Sequence, residues 1–320
     1  MSAGEAGVQV WRDDKQVATL ETGDFLPVCL AVSQDGRWFA AVTMLTLYVW
    51  NAQTYEQVFI RNSIWDHTFE AVDFSPDSTR LISALCYGRV ITWDIAGNGV
   101  LELCHDSEYS MRAAKYSPHG DRIATANDGS VRVWDSNNGC LLVDENAQVI
   151  PNYNKGLLWC NDHLLILSQD TIKKIDATTG LTVSEWPVAN PNYEPCIALP
   201  KHGQFIACSA NRIVRFWDAS THTQLRHIEH AQGICSIAIS PDDRLLAIGG
   251  RDGIISMKRL SRITVGIMCR RIMGCITMLL FHPPSCIPLP RCAPRHQSFR
   301  STMPRSIRGS TINSRTRRHY

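Results

Sequence analysis

The sequence predicts an all-β fold, a seven-bladed propeller, from two markers that recur in step. The first is a short alternating strand ending in tryptophan. "VQVW" closes at Trp11, "LYVW" at Trp50, "VITW" at Trp93, "VRVW" at Trp134 and "IVRFW" at Trp217. Two degenerate copies fill the gaps, "TIKKID" with Ile175 and "DGIISMK" with Lys258 in the tryptophan place. The intervals are 39, 43, 41, 41, 42 and 41 residues. Alternation of Val131 and Val133 around Arg132 suits a strand with one buried face. A period of about 40–45 residues is that of a four-stranded blade.

The second marker is a strand that runs into a polar turn: "LAVSQDG" at 30–36, "VDFSPDS" at 72–78, "AKYSPHG" at 114–120, "IALPKHG" at 197–203 and "IAISPDD" at 237–243. Proline fixes φ, while Asp and Gly supply turn chemistry. The residue before each turn lies 18 or 19 positions ahead of its tryptophan place. These markers order the blade. The strand before the turn is a, the innermost. The space behind the turn holds strand b, such as Leu81 to Leu85 or Leu245 to Ile248. The tryptophan strand is c. A turn such as "DSNNG" or "DATTG" then leads to strand d.

The paired markers resemble WD40 repeats over about residues 7–285. Trp93-Asp94, Trp134-Asp135 and Trp217-Asp218 carry the resemblance, with the Ser-Pro turns at Ser75-Pro76, Ser117-Pro118 and Ser240-Pro241. It implies a hydrogen-bonded set in each blade: a His before strand a, a Ser or Thr in b, an Asp in the b–c turn and the Trp of c. One copy has all four, His105, Thr125, Asp128 and Trp134. His67, Ser83 and Trp93 lack the Asp, and His230 and Asp252 lack the Trp.

Val8 to Trp11 has no strands a and b before it. "GCITMLLFHPPS" at 274–285 resembles the a-strand marker, with Phe281 lying 23 residues after Lys258. The last blade is therefore either closed by both parts of the chain or incomplete. In the closed form, 276–281 and 286–290 supply a and b, while Val8 to Trp11 and Val17 to Glu21 supply c and d. Ile263 to Ile267 then falls where the fourth strand of the preceding blade belongs. Pro288 and Pro290 make 286–290 the weakest of these strands.

Composition divides the chain into a propeller at 1–290 and a basic tail at 291–320. Hydrophobic residues make up 44% and charged residues 19%, enough apolar surface for a large core. All 30 acidic residues lie at or before Asp252, and eight of the 32 Lys and Arg lie in 291–320. An acidic body is a poor nucleic-acid platform, so nucleic-acid contact is left to the tail alone. The tail reads as disordered. No signal-like start and no membrane-length apolar run is present, and the 12 Cys form no CxxC pair. A reduced intracellular protein is expected, cytoplasmic or nuclear. Cys29, Cys196, Cys208 and Cys235 sit in apolar runs and read as small buried hydrophobes.

No GxxxxGK[ST], GxSxG or HExxH motif occurs. His222, His227 and His230 cluster in sequence but read as solvated turn-and-edge residues without ligand partners. The expectation is therefore a chain with no catalytic residues, no metal and no cofactor. Function falls to the loop face around the central channel. Taken copy by copy, the d–a side offers Trp65, Glu70, Arg112, Tyr153, Lys155 and Tyr193, and the b–c side Tyr87, Asn127 and Arg251. Aromatic and Arg residues on an exposed rim favour protein contacts. The expected partners are proteins or peptides rather than a small-molecule substrate. A scaffold is the leading role. The alternative is a sensor or substrate-recognition subunit of a regulatory complex, associated with a ubiquitin ligase or an NTPase.

Overall fold

A computed structural model describes residues 1–4, 7–12, 15–23, 25–63, 67–105, 110–127, 130–145, 156–167, 171–188, 196–201, 203–260 and 271–273. All its strands lie within the compact unit Met1–Ser285. The second unit, Cys286–Tyr320, lies outside the described residues.

The described residues build seven antiparallel sheets. Blade 1 has strands a to d at Cys29–Val32, Trp38–Val42, Thr46–Asn51 and Gln57–Asn62. Blade 2 has Phe69–Phe74, Arg80–Leu85, Arg89–Asp94 and Gly99–Cys104. Blade 3 has Met111–Tyr116, Arg122–Asn127, Val131–Asp135 and Leu141–Glu145. Blade 4 has Leu157–Cys160, His163–Leu167, Thr171–Asp176 and Thr182–Pro187. Blade 5 has Cys196–Ala198, Phe205–Ala210, Ile213–Asp218 and Gln224–Glu229. Blade 6 has Ile234–Ile239, Leu245–Gly250, Ile254–Arg259 and Arg271–Met273. Blade 7 has three described strands, Ser2–Gly4, Gly7–Arg12 and Lys15–Leu20.

Two strands depart from expectation. Strand d of blade 6 is Arg271–Met273, paired with Ile254 to Ser256, rather than Ile263–Ile267, which lies outside the described residues. In blade 7, Ser2–Gly4 pairs with strand c and so holds the place of strand b, which the sequence had suggested for 286–290. Its register agrees. Ser2 faces Gln9 two residues before Trp11, just as Thr125 faces Arg132 two residues before Trp134. The proposed strand a at 276–281 lies outside the described residues.

Burial explains the strand order. Strand b is covered on both faces: Ile82, Ala84, Ile123, Ala124, Leu164 and Ala207 are fully buried. Strand d is mostly exposed, with one buried residue each in blades 1 and 2, Phe59 and Leu103, as suits an outer strand. Buried clusters cross from blade to blade. One joins Val49 and Phe59 of blade 1 to Leu81 and Leu103 of blade 2 and to Ile123 and Trp134 of blade 3. Another joins Val8 and Val10 of blade 7 to Leu30, Phe39 and Trp50 of blade 1. Removing a buried Trp or Phe from such a core costs about 3–5 kcal/mol.

The tryptophan position has a geometry of its own. In six blades the c–d pairing slips at Trp11, Trp50, Trp93, Trp134, Ile175 and Trp217. A bulge of this kind raises the local twist. The following Asp builds the c–d turn. Asp135 Oδ1 accepts the Asn137 and Asn138 amides at 2.9 and 3.1 Å, and Asp218 Oδ1 accepts those of Ser220 and Thr221 at 2.9 and 2.8 Å. Backbone donation from Thr221 and Ser220 holds the Asp218 carboxyl below the usual range. In the a–b turn, the hydroxyls of Ser33, Ser75, Ser117 and Ser240 accept the amide five residues on at 2.9 to 3.1 Å. Glycine is required where a blade meets the next: a Cβ on Gly97, at φ 86°, would lie 3.0 Å from Cγ of Phe59.

The polar set inside the blades is fullest in blade 3. Trp134 Nε1 donates to Thr125 Oγ1 at 2.7 Å, and His105 Nε2 lies 2.6 Å from the same oxygen. Asn127 Nδ2 reaches His105 Nδ1 at 3.4 Å. Among the described residues, a neutral ring with its hydrogen on Nε2 can donate to Thr125 and accept from Asn127. Other blades keep part of the set. Trp93 Nε1 donates to Ser83 Oγ at 2.8 Å and Trp11 Nε1 to Ser2 Oγ at 2.9 Å. Blade 6 has Ile248 at the strand-b place, and the paired strand-c residue Ser256 supplies the hydroxyl, 3.1 Å from His230 Nε2. In blade 5 that place is Cys208, and buried Trp217 Nε1 has no hydrogen-bond partner among the described residues.

Two predictions follow from these sets. Burial first, then the Arg132 charge, lowers the His105 pKa to about 4. The unfolded imidazole titrates near 6.5, so below that pH the unfolded chain takes a proton that the fold refuses. His105 therefore costs nothing above pH 6.5, and stability falls between about pH 6.5 and 4, by on the order of 3 kcal/mol in full. Thermal unfolding of the chain against His105→Gln, recorded across this range, should show a shallower acid slope in the variant; equal slopes contradict the assignment. Separately, Cys208→Thr gives the Trp217 indole an acceptor and should raise stability by about 1 kcal/mol. A lowered calorimetric midpoint would count against it.

Candidate protein-interaction face

Antiparallel order gathers the d–a and b–c connections at one end of every blade. In blades 2, 3 and 6 strand a is bulged at that end, the register slipping between Phe69 and Ala71, Met111 and Ala113, and Ile234 and Ser236. The extra residues are Glu70, Arg112 and Cys235, all half-buried. A bulge re-aims a side chain and is frequent beside functional sites. Glu70 and Arg112 thus lie within strand a, at one equivalent position on neighbouring blades, rather than just before it. Thr68 Oγ1 donates to the Glu70 carboxylate at 3.2 Å.

Two further rim residues sit on b–c turns. Tyr87 is 56% exposed at φ 57°, its ring edge-on to His67 with centroids 5.3 Å apart. Arg251 is exposed, and its amide donates to the Gly233 carbonyl at 2.8 Å. Its aliphatic stem lies against Gly233, where a Cβ would stand 3.1 Å from Arg251 Cδ.

Asn127 departs from the sequence reading. It is buried, and its Oδ1 accepts the Ser130 amide at 2.7 Å, so it shapes the turn beneath the rim. Trp65, Tyr153, Lys155 and Tyr193 lie outside the described residues, as does Asp128 of the structural set. Position-by-position reading missed Phe25, Leu26, Met44 and Leu45, exposed at the same end. Their signal was available: two adjacent apolar pairs, "FL" and "ML", stand in connections where other blades carry Asn, Asp or Gly.

The histidine cluster is also different from expectation. His230 is buried on Ser256, and His222 stacks on Trp186 at 4.1 Å; only His227 is exposed. Among the described residues no three His, Cys, Asp or Glu side chains gather as metal ligands. Cys29 and Cys208 are buried, whereas Cys196 and Cys235 are half-buried. Burial pushes the Cys208 thiol up to about 12, which leaves it protonated and inert. What the face offers is aromatic, guanidinium, carboxylate and apolar contact on turns held by backbone hydrogen bonds.

Comparison with known proteins agrees with this architecture. The model of the WD domain, G-beta repeat, matches residues 99–135, 195–218 and 222–257. The chain is 24% identical over 196 residues to the U3 small nucleolar RNA-associated protein 15 homolog of Xenopus laevis, covering 58% of this chain and 37% of that protein. It is 22% identical over 203 residues to the serine-threonine kinase receptor-associated protein of Gallus gallus, covering 60% and 53%. A 20% match to the periodic tryptophan protein 2 homolog of Dictyostelium discoideum covers 72% and 26%. The chain thus spans from about a quarter to about half the length of these curated relatives. Among solved structures, the Myceliophteria thermophila Cps50 (Swd1) beta-propeller domain superposes with a TM-score of 0.70 at 17% identity, over 80% of this chain and 91% of that one. Among the described residues no helix is long and apolar enough to cross a membrane. The chain carries WD40 repeats and folds as a seven-bladed β-propeller.

Proposed function

We propose that this chain is a non-catalytic scaffold that binds proteins or peptides at the end of the propeller where the d–a and b–c connections meet. The observation that carries this reading is the repeated placement of contact-forming side chains there. Glu70 and Arg112 stand on equivalent bulges, while Tyr87 and Arg251 project from turns fixed by backbone hydrogen bonds. Rigid presentation of aromatic and Arg side chains is what binding hot spots favour. The names of two relatives, one RNA-associated and one receptor-associated, fit a protein that works in company. The cytoplasm and the nucleus are both compatible compartments.

The full chain and the double variant Tyr87→Ala/Arg112→Ala should be compared by quantitative affinity purification from the same cells. Hot-spot truncations cost more than about 1 kcal/mol each, so specific partners should fall by roughly tenfold or more while the melting temperature is retained. An unchanged partner set would refute the assignment of this face. A ubiquitin-ligase adaptor or an NTPase among the sensitive partners would define the narrower role of recognition subunit.

A further inference from the structure

Two half-buried cysteines meet across the boundary between blades 5 and 6. Cys196 opens strand a of blade 5, and Cys235 is the extra residue in the bulge of the next strand a. Cys196 Sγ donates to the Cys235 carbonyl at 3.1 Å. Hydrogen bonds fix both sides of this contact. The Cys196 amide donates to Ser209 Oγ at 3.1 Å, and the Ile234 amide of blade 6 donates to the Asn211 carbonyl of blade 5 at 2.7 Å. Ile234 and Ile237 pack with Ala198 and Phe216 of blade 5 in one apolar cluster, with Cys196 against it.

Distance, access and an internal comparison single this pair out. A carbonyl oxygen lies about 2.4 Å from its own Cα, so the Cys235 Cα stands within about 5.5 Å of Cys196 Sγ. Disulfides bridge Cα atoms about 4.4–6.8 Å apart, a span that this approach allows. Half-burial admits a small oxidant to both sulfurs. Cys208, on strand b of blade 5, pairs with Ile197 and is fully buried, beyond such access. In blade 1, Cys29 holds the register place of Cys196. Its sulfur accepts the Val72 amide of blade 2 at 3.4 Å, where the strand carries Glu70, Ala71 and Val72 in place of a cysteine. Cys235 holds the bulge position of Glu70 and Arg112, so a link there would tie a rim residue to blade 5 whatever the face binds.

We infer that Cys196 and Cys235 are a redox-sensitive pair that closes into a disulfide between blades 5 and 6. The oxidant is a small disulfide such as oxidised glutathione. One cysteine thiolate attacks it; a mixed disulfide forms, the small S–S bond breaks and one small thiolate leaves. The other cysteine thiolate attacks the protein sulfur of that mixed disulfide and releases the second small thiolate. The two protons lost by the cysteines go to the departing thiolates, and the two electrons given up by the pair reduce the small disulfide. The full native chain should be incubated with oxidised glutathione, blocked with N-ethylmaleimide and mapped by non-reducing peptide mass spectrometry. Peptides bearing Cys196 and Cys235 should be linked, and dithiothreitol should part them. The link should be lost completely in Cys196→Ser and in Cys235→Ser and kept in Cys208→Thr, while Cys29 stays unlinked. The linked chain should melt at or above the temperature of the reduced chain, because the cross-link restricts the unfolded state. No link, glutathione adducts alone, pairing of either cysteine with Cys208, equal linking when the chain is oxidised in urea, or a lowered melting temperature would each overturn the inference.

Discussion

Burial of strand b on both faces is the constraint from which the rest of this molecule follows. A strand such as Arg122–Asn127 has blade neighbours above and below, and Ile123, Ala124, Thr125 and Ala126 are all inaccessible to water. Small residues on this strand let blades approach, and the large indole on strand c fills the gap they leave. The indole brings an N–H with it, and a dry N–H needs an acceptor. That requirement accounts for the hydroxyl at Thr125, Ser83 and Ser2, and for the histidine that orients it in blade 3. The apolar contribution is the larger one. Blade 4 replaces the indole with Ile175 and still folds into four strands, as does blade 5 with its unpartnered Trp217.

Much of this was legible in the sequence because the repeat samples one geometry many times. A tryptophan every 41 or so residues, in phase with a serine-proline turn, fixes strand identity where a single copy would not. Ser2–Gly4 escaped because three residues, one of them glycine, carry no alternation; only the register against Gln9 reveals them as strand b. Asn127 was misread because sequence placed it beside a turn without showing which way it faces. It turns inward to serve the Ser130 amide and His105. Position alone sets Glu70 and Arg112 just before strand a; the bulges that bring them within it depend on pairing, which sequence does not display. The apolar pairs of this face were hidden for a different reason. Met44 and Leu45 fall in a b–c turn that lacks the Asp-Gly of blades 3 and 6, so comparison between copies passes over them.

The division of labour within a blade now has a physical basis. The end bearing the a–b and c–d turns spends its polar groups on itself, with serine and aspartate side chains satisfying turn amides. The opposite end shares this work between side chains such as Thr43 and Asn127, which accept turn amides, and backbone hydrogen bonds, two of which, Phe69 to Met44 and Ile234 to Asn211, cross to the preceding blade. A repeat whose turns are fixed at both ends is a rigid base for binding, and the chemistry of each sector can differ from that of its neighbours.

The central claim, that strand b is the common interior of equivalent blades, is tested most directly by hydrogen exchange resolved by peptide. Peptides spanning Leu81–Leu85, Ile123–Asn127, Leu164–Leu167, Ile206–Ala210 and Leu246–Gly250 should be protected together and well above the strand-d peptides of the same blades, with 2–12 protected alongside them. Protection that ignores this phase, or free exchange across 2–12, would contradict the account.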